Sequence, residues 1–161
     1  DVIDAANVDL KCFTEDFYVK EIGGNLEPVL RFIEKAAGKT KLEVTTLIIP
    51  GKNDGEEEME SSAEFLAGLD PDIPLHLSCY YPTYKYSVPP TEAELVDRLA
   101  EVARRHLNYV YLGNVGFQET NTECPSCGNV LIRRGGYSTS VLGLEDGKCR
   151  SCGKEIPIPL R

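Results

Sequence analysis

The sequence lacks tryptophan, carries a single methionine and contains no apolar stretch that could cross a bilayer. A membrane span needs about 20 apolar residues, whereas runs such as Leu47-Ile48-Ile49 stop early, here at Pro50. The first residues also lack the basic start and apolar centre of a secretory signal. We therefore expect no contact with a membrane and a cytoplasmic location.

Positive charge is scarce as well. The 161 residues include 17 Lys and Arg against 26 Asp and Glu, for a net charge of −9. Nucleic acids and anionic lipids select for basic surfaces, so this balance argues against either as a partner.

The length suffices for one domain with a small appendage or for two small domains. Because it begins at Asp1 without an initiator methionine, the chain is expected to be a piece of a longer protein.

Four of the six cysteines form two Cys-x-x-Cys-Gly units, at Cys124 and Cys127 and at Cys149 and Cys152. Two thiolates three positions apart in a tight turn can reach one ion, and the glycine permits the positive φ of that turn. Two units complete a tetrahedral site, so we predict structural zinc on these four residues. Four thiolates leave no open position for catalysis. Two disulfides or a redox dithiol are the alternatives, which the missing secretory signal disfavours.

Charge divides the chain near residue 119. Residues 1–119 have a net charge of −11 and residues 120–161 a net charge of +2. In the second segment, the predicted strands are Val130–Ile132 and Val141–Leu144, joined through Gly135-Gly136. This segment is expected to be a zinc ribbon, and residues 1–119 a separate α/β domain.

Strand and helix patterns alternate through residues 1–119. The predicted strands are Ala6–Leu10, Leu42–Ile49, Leu75–Leu77 and Tyr109–Leu112. The predicted helices are Glu27–Ala37, Glu56–Leu69 and a third that begins in a capping box of Thr91 and Glu94 and ends near Arg105. This order indicates four parallel strands joined by crossover helices. A closed barrel needs about 200 residues or more, so the fold class is α/β with a partial (β/α) barrel.

Polar residues follow the strands of this sheet. They are Asp9, Lys11, Asn53, His76 and Asn114. Because ligands bind beyond the carboxyl ends of parallel strands, we expect these residues to converge on one polar ligand site. Taken singly, Asp9 and Lys11 could form a rim ion pair, and His76 could be a hydrogen-bonded core residue.

The two remaining cysteines and the other histidine suggest no catalysis. Cys12 and Cys79 stand alone and are expected to be small buried apolar groups. His106 lies at a predicted helix C-terminus, where a cation is favoured. Neither a Gly-x-Ser-x-Gly elbow nor a phosphate-binding loop is present. We therefore assign no catalytic residue.

A series of motifs occurs in order along the chain. They are Asp-Ala-Ala-Asn-Val-Asp-Leu-Lys (4–11), Thr-Leu-Ile-Ile-Pro-Gly-Lys-Asn-Asp (46–54), Pro-Leu-His-Leu-Ser (74–78), Pro-Thr-Tyr-Lys (82–85), Tyr-Val-Tyr-Leu-Gly-Asn-Val (109–115) and the Cys-Pro-Ser-Cys-Gly unit. The series resembles the C-terminal half of radical S-adenosylmethionine enzymes related to pyruvate formate-lyase activating enzyme. More narrowly, it resembles the AmmeMemoRadiSam system radical SAM enzymes.

The resemblance implies a partial barrel that holds S-adenosylmethionine and a [4Fe–4S] cluster in the full-length oxidoreductase, which acts on a protein or small-molecule substrate. It places Asp9, Lys11 and His76 at the S-adenosylmethionine site, where Lys11 could pair with the methionyl carboxylate and His76 with the carboxylate or ribose. Asn53 and Asn114 are further expected lining groups.

The sequence departs from that pattern at the cluster. The Cys-x-x-x-Cys-x-x-Cys motif and the Gly-Gly-Glu motif are both absent, and the resemblance assigns both to an N-terminal half. The segment alone is therefore expected to bind no iron–sulfur cluster and to be inactive. Two alternatives stay open: a free-standing zinc-ribbon binding module that uses Arg133-Arg134 toward a protein or nucleic acid, and an α/β hydrolase or isomerase without a recognisable nucleophile.

Overall fold

The computed structural model describes residues 3–116, 120–135 and 138–158. The chain divides into two compact units, residues 1–114 and residues 115–161. The sequence places its division near residue 119.

The first unit is built on a four-stranded sheet. Its strands are β1 (Ala5–Asp9), β2 (Lys41–Ile48), β3 (Leu75–Cys79) and β4 (Val110–Gly113). They pair in the order β1-β2-β3-β4, and every pair is parallel. The predicted α/β fold with four parallel strands is therefore confirmed.

Helices connect the strands. They are α1 (Glu15–Phe17), which continues as a π-helix (Tyr18–Ile22), α2 (Leu26–Ala36), α3 (Glu56–Leu69) and α4 (Ala93–Arg104). Gly23 ends the π-helix at a φ of 73°, a left-handed conformation that glycine adopts at no steric cost. None of the helices in the described part of the chain is both long and apolar enough to cross a bilayer.

The two faces of the sheet differ. Along β2, exposed Lys41 and Glu43 alternate with buried Leu42 and Val44. The buried side chains belong to the core, where α4 lies against β3 and β4 and α3 packs on α4. Helices usually cover both faces of a parallel sheet, whose strands are then apolar throughout. Here the strands alternate, which leaves one face polar and partly exposed.

The predicted capping box of Thr91 and Glu94 is wrong. Helix α4 begins one residue later, with Glu92 at the N-cap position and no side-chain cap. Thr91 is buried, and its hydroxyl donates to the carbonyl of Ile48 at 2.6 Å and accepts the amide of Tyr80 at 2.9 Å. Its side chain therefore links the ends of β2 and β3 and is not available to cap the helix.

The second unit consists of short antiparallel strands. They are β5 (Thr122–Glu123), β6 (Val130–Gly135), β7 (Ser138–Val141), β8 (Leu144–Glu145) and β9 (Lys148–Cys149). Strands β5, β6 and β7 form one sheet, and β8 and β9 form a hairpin. Buried Leu131, Ile132, Leu144 and Ile156 pack with two of the cysteines to form its core.

The predicted strand Val141–Leu144 is wrong. Strand β7 ends at Val141, and the amides of Leu142 and Gly143 both donate to the carbonyl of Leu131. Two amides on one carbonyl break the ladder, so Leu144 starts the next strand. The other predicted strand, Val130–Ile132, lies within β6. Of the predicted connection, Gly136 lies outside the described residues.

Candidate functional site

Both Cys-x-x-Cys-Gly units adopt the same backbone turn. The amide of Gly128 donates to the carbonyl of Cys124, and the amide of Gly153 donates to the carbonyl of Cys149, each at 2.8 Å. The two glycines have φ values of 70° and 75°. Since this region is costly for residues with a Cβ, the turn explains the glycine that follows each pair of cysteines.

The four thiols of these units form one cluster. The sulfurs of Cys124, Cys127, Cys149 and Cys152 lie within 4.8 Å of one another, with Cys124 and Cys152 3.6 Å apart and Cys127 and Cys149 3.7 Å apart. A disulfide would require about 2.05 Å, and all four cysteines are free. Four sulfurs at about 2.3 Å from a tetrahedral ion are about 3.8 Å apart. The arrangement therefore fits a closed four-thiolate metal site.

The close approach of the four thiols lowers the pKa of one of them and raises the pKa of another. Burial opposes ionisation of Cys149, but the amides of Cys152 and Ser151 and the neighbouring thiols outweigh it and lower the pKa of Cys149 to about 6. At Cys127 the amide of Asn129 favours the thiolate, but interactions with the other thiols and burial raise the pKa to about 11. Four thiolates therefore need a compensating cation, and a divalent metal ion supplies it.

Asn129 supports this cluster and was missed from the sequence. Its Nδ2 lies 3.8 Å from the sulfur of Cys149, and its carbonyl accepts the amide of Cys124 at 2.9 Å. The side chain packs against Gly143, where a Cβ would collide with Asn129 Nδ2 and with the carbonyl of Val130. Its position directly after the first Cys-x-x-Cys-Gly unit is the signal that could have identified it.

In the first unit, Asp9 and Lys11 form an ion pair at the carboxyl end of β1. Lys11 Nζ lies 2.6 Å from Asp9 Oδ2, and the two side chains are 37% and 57% exposed. This is the rim ion pair that the sequence left open. At such exposure the pair contributes at most about 1 kcal/mol, so a ligand can exchange with either partner at little cost.

Buried Asn53 forms hydrogen bonds to the backbone that follows β1. It is 3% exposed, and its Nδ2 donates to the carbonyls of Lys11 and Leu47 at 2.6 and 2.8 Å. Its Oδ1 accepts the amide of Ile49 at 2.7 Å. Because both amide hydrogens are used within the protein, Asn53 fixes the backbone of Lys11 and offers a ligand no donor.

His76 belongs to a row that crosses the exposed sheet face. The register pairs Asp9 with Thr45, Thr45 with His76, and His76 with Tyr111. Neighbouring strands lie about 4.8 Å apart, so the backbones of Asp9 and His76 are about 10 Å apart. The row therefore brings His76 and the Asp9–Lys11 pair onto one surface, which lies on the face of the sheet and not only at its edge.

Two further residues of this face contact His76. Its Nε2 lies 2.9 Å from Glu43 Oε2, and its ring stacks on Tyr111 with the centroids 5.3 Å apart. Neither partner was singled out from the sequence. The alternation of β2 does place Glu43 on the face of Thr45, but only the strand register shows that this face also carries His76.

Asn114 lies beyond β4 and holds neighbouring chain ends together. Its φ is 59°, a left-handed conformation that asparagine tolerates. Its Nδ2 donates to the carbonyl of Cys79 at 3.3 Å, and its own carbonyl accepts the hydroxyl of Tyr81 at 3.0 Å. The structure thus places Asn114 at the carboxyl edge but not in the row of His76.

Glu21 connects three segments at this edge. Its carboxylate binds Lys52, which follows β2, and accepts the hydroxyl of Tyr86, which follows β3, at 2.9 Å. Lys52, and then Tyr86, hold the pKa of Glu21 below its usual value. Glu21 itself lies in the π-helix, so one carboxylate fixes the relative positions of three segments.

A second group of possible metal ligands lies on α3 and just after α4. Carboxylate oxygens of Glu60 and Glu64 and a ring nitrogen of His106 lie within 4.8 Å of one another. His106 Nε2 is 2.7 Å from one oxygen of Glu60, and Arg105 binds the other. His106, and then Arg105, lower the pKa of Glu60. Because Arg105 and His106 already occupy both oxygens of Glu60, we interpret the group as a surface hydrogen-bond and ion-pair network.

A known protein resembles this chain over almost its whole length. No protein-family model matches the chain. The chain is 39% identical over 166 aligned positions to an uncharacterized protein of Methanocaldococcus jannaschii, in an alignment that covers 98% of the chain and 49% of that protein. The chain therefore spans about half the length of the curated relative it matches.

Two solved structures resemble this chain, and the first of them shows which fold it shares. A domain of pyruvate-formate lyase-activating enzyme from Bacteroides vulgatus superposes with a TM-score of 0.59 and 23% identity, covering 69% of this chain and 68% of that one. A radical SAM methyltransferase from Sphaerobacter thermophilus gives a TM-score of 0.47 and 22% identity, covering 66% of this chain and 32% of that one. The chain thus shares the α/β fold of the activating-enzyme domain.

Proposed function

We propose that this chain is the C-terminal part of a radical S-adenosylmethionine enzyme of the pyruvate formate-lyase activating type, in the AmmeMemoRadiSam subgroup. The observation that carries the proposal is a parallel sheet with the fold of an activating-enzyme domain whose exposed face carries a polar row. Because the described helices pack on only one face of this sheet, the polar face and the carboxyl ends of the parallel strands, where ligands bind in such folds, stay accessible.

The exposed face supplies groups that suit S-adenosylmethionine. Lys11 offers a charge-assisted hydrogen bond to the methionyl carboxylate in exchange for its contact with Asp9. Asn53 holds the backbone of Lys11 in place, and His76 lies about 10 Å away across the sheet. These separations match a ligand that carries a charged amino acid at one end and a nucleoside at the other.

The described thiols outside the four-cysteine site do not suit an iron–sulfur cluster. In the whole enzyme, a [4Fe–4S] cluster with S-adenosylmethionine would supply the reductive cleavage chemistry. Burial raises the pKa of both Cys12 and Cys79, which disfavours the thiolate that iron requires. We therefore assign the cluster ligands to a preceding segment and expect this chain alone to bind no cluster. Cysteines that form no disulfide bond accord with a reducing, cytoplasmic setting.

The four-cysteine site is proposed to hold structural zinc. Four thiolates close the coordination shell, so the ion would have no position for water or substrate. The cluster joins two turns of a unit with a small core. Because small units bury too little apolar surface to fold strongly, zinc binding would supply much of the folding free energy of residues 120–158.

The proposal is tested in a longer protein that includes the residues before Asp1. After anaerobic reconstitution with iron and sulfide, we expect it to convert S-adenosylmethionine to 5′-deoxyadenosine, and the 161-residue chain to form no product. Lys11→Ala and His76→Ala should each weaken S-adenosylmethionine binding about tenfold, as expected for a charge-assisted contact. Lys20→Ala is the matched control, because Lys20 is exposed and pairs with Asp16, four residues earlier, away from the sheet face.

Two results would contradict the proposal. One is a stoichiometric cluster in the 161-residue chain. The other is a longer protein that binds zinc and folds but has no affinity for S-adenosylmethionine, which would favour a free-standing zinc-ribbon binding module.

A further inference from the structure

The two ring nitrogens of His76 have different surroundings. Nε2 lies 2.9 Å from Glu43 Oε2. An ionised carboxylate only accepts hydrogen bonds, so in the neutral imidazole the proton sits on Nε2 and Nδ1 keeps its lone pair. Within residues 3–116, 120–135 and 138–158, Nδ1 has no hydrogen-bond partner.

Neighbouring strands hold the ring in this orientation. Tyr111 pairs with His76 in the sheet register and stacks on its ring at an interplanar angle of 30°. On the other side, Glu43 lies two residues before Thr45, the register partner of His76. The contacts thus come from strands on both sides, and a rotated imidazole would lose the carboxylate bond.

We propose that Glu43 is a positioning residue that fixes the tautomer of His76 and makes Nδ1 a hydrogen-bond acceptor on the exposed sheet face. An acceptor selects a ligand group that donates, namely a hydroxyl or an amine, and disfavours a carboxylate. This ligand assignment rests on the proposed function. The two residues then bind different parts of S-adenosylmethionine: Lys11 binds its carboxylate, and His76 binds a donor such as a ribose hydroxyl.

The tautomer is measured directly by long-range ¹H–¹⁵N correlation spectra of the ¹⁵N-histidine-labelled chain at pH 8.5, where imidazole is ordinarily neutral. We expect His76 to carry its proton on Nε2 in the wild type. In Glu43→Ala the tautomers should become mixed, and Glu43→Asp should restore part of the preference. His106 is the internal control, because its carboxylate partner is Glu60. Glu43 is half exposed, so its replacement leaves the core intact.

Either of two spectra would overturn the inference: a proton on Nδ1 of wild-type His76, or an unchanged tautomer in Glu43→Ala. A merely structural contact would alter stability without moving these signals.

The ligand class is tested in the longer protein. On saturation with S-adenosylmethionine, the Nδ1 signal of His76 should move upfield as an acceptor does, while Nε2 keeps its proton. Glu43→Ala should weaken binding about three- to tenfold, the effect of one hydrogen bond. It should add no further loss in a His76→Phe background. Protonation of Nδ1 on binding would overturn the inference. If S-adenosylmethionine does not bind at all, the proposed function fails, and the tautomer measurement alone decides the role of Glu43.

Discussion

Replacing Thr91 by valine tests how the carboxyl ends of β2 and β3 are joined. Thr91 is 6% exposed, and its hydroxyl bonds both to the carbonyl of Ile48 and to the amide of Tyr80. Valine has nearly the same shape, so the substitution removes the hydroxyl and leaves the packing almost unchanged. The amide of Tyr80 and the carbonyl of Ile48 then lose their hydrogen-bond partner.

The expected cost follows from those two groups. A buried polar group that loses its partner costs about 1–3 kcal/mol. Two such groups predict that Thr91→Val lowers the free energy of unfolding of the first unit by about 2–6 kcal/mol. For a unit of this size, the melting temperature should fall by about 8–25 °C.

The assay is urea unfolding of the first unit, followed by amide hydrogen exchange because the two units need not unfold together. The amide of Tyr80 should lose protection selectively in Thr91→Val. Thr40→Val is the matched control, since the hydroxyl of Thr40 is buried and has no hydrogen-bond partner among the described residues. Removal of that hydroxyl should change stability by less than about 0.5 kcal/mol or increase it.

A second substitution at Thr91 separates the link from a helix cap. Asparagine caps helices as well as threonine does, so Thr91→Asn would keep full stability if the residue were a cap. The buried link predicts a loss at least as large as that of Thr91→Val, because the longer amide does not fit between the strands. Full stability of Thr91→Asn, or a loss below about 0.5 kcal/mol in Thr91→Val, would refute the reasoning.

Three more predictions concern other parts of the chain. Cys124→Ser should lower the zinc content from about one ion per chain, measured by metal analysis. On heating, hydrogen exchange should show that residues 120–158 of this variant unfold first. Unchanged metal content, or iron in place of zinc, would contradict the zinc site. Gly143→Ala should weaken Co²⁺ binding in a spectroscopic titration, because its methyl collides with Asn129 and with backbone, whereas equal affinity would show that Asn129 does not support the site. Glu21→Gln should lower the melting temperature more at pH 7 than near pH 3. The pKa of Glu21 is lowered in the folded state, so its contribution is present above the unfolded pKa and lost as pH falls through the folded pKa; an equal difference at both pH values would exclude the link to Lys52.

The order of strands and helices could be predicted because it depends on local periodicity. The apolar spacing of Glu56–Leu69 is complete within the helix itself, and the structure has a helix over the same residues. The strands were placed within two residues of their observed ends, except in the second unit. There Gly143 has no room for a side chain and turns the backbone between two strands, which depends on tertiary contacts that the sequence pattern does not contain.

The site was less predictable, because its parts meet through register and not through spacing. The polar character of Asp9, Lys11 and His76 is visible in the sequence. That Glu43 contacts His76 requires the alignment of β2 with β3, and a shift of one residue would place it on the opposite face. Asn53 was predicted as a polar residue at the edge, but its burial and its bond to the carbonyl of Lys11 come from the path of the loop.

The polar sheet face also limits what can cover it. An apolar element placed on this face would strip water from Asp9, Lys11, Glu43 and His76 without replacing their hydrogen bonds, at a cost of several kcal/mol for each unpaired charge. A polar ligand replaces the water with donors and acceptors of its own, and each ion pair can then be exchanged for a ligand contact. The face is therefore stable when exposed, is costly to bury against apolar surface, and can be covered favourably only by a partner that carries charged groups and hydrogen-bond donors. This requirement links the alternation of a single strand, β2, to the class of ligand that we propose.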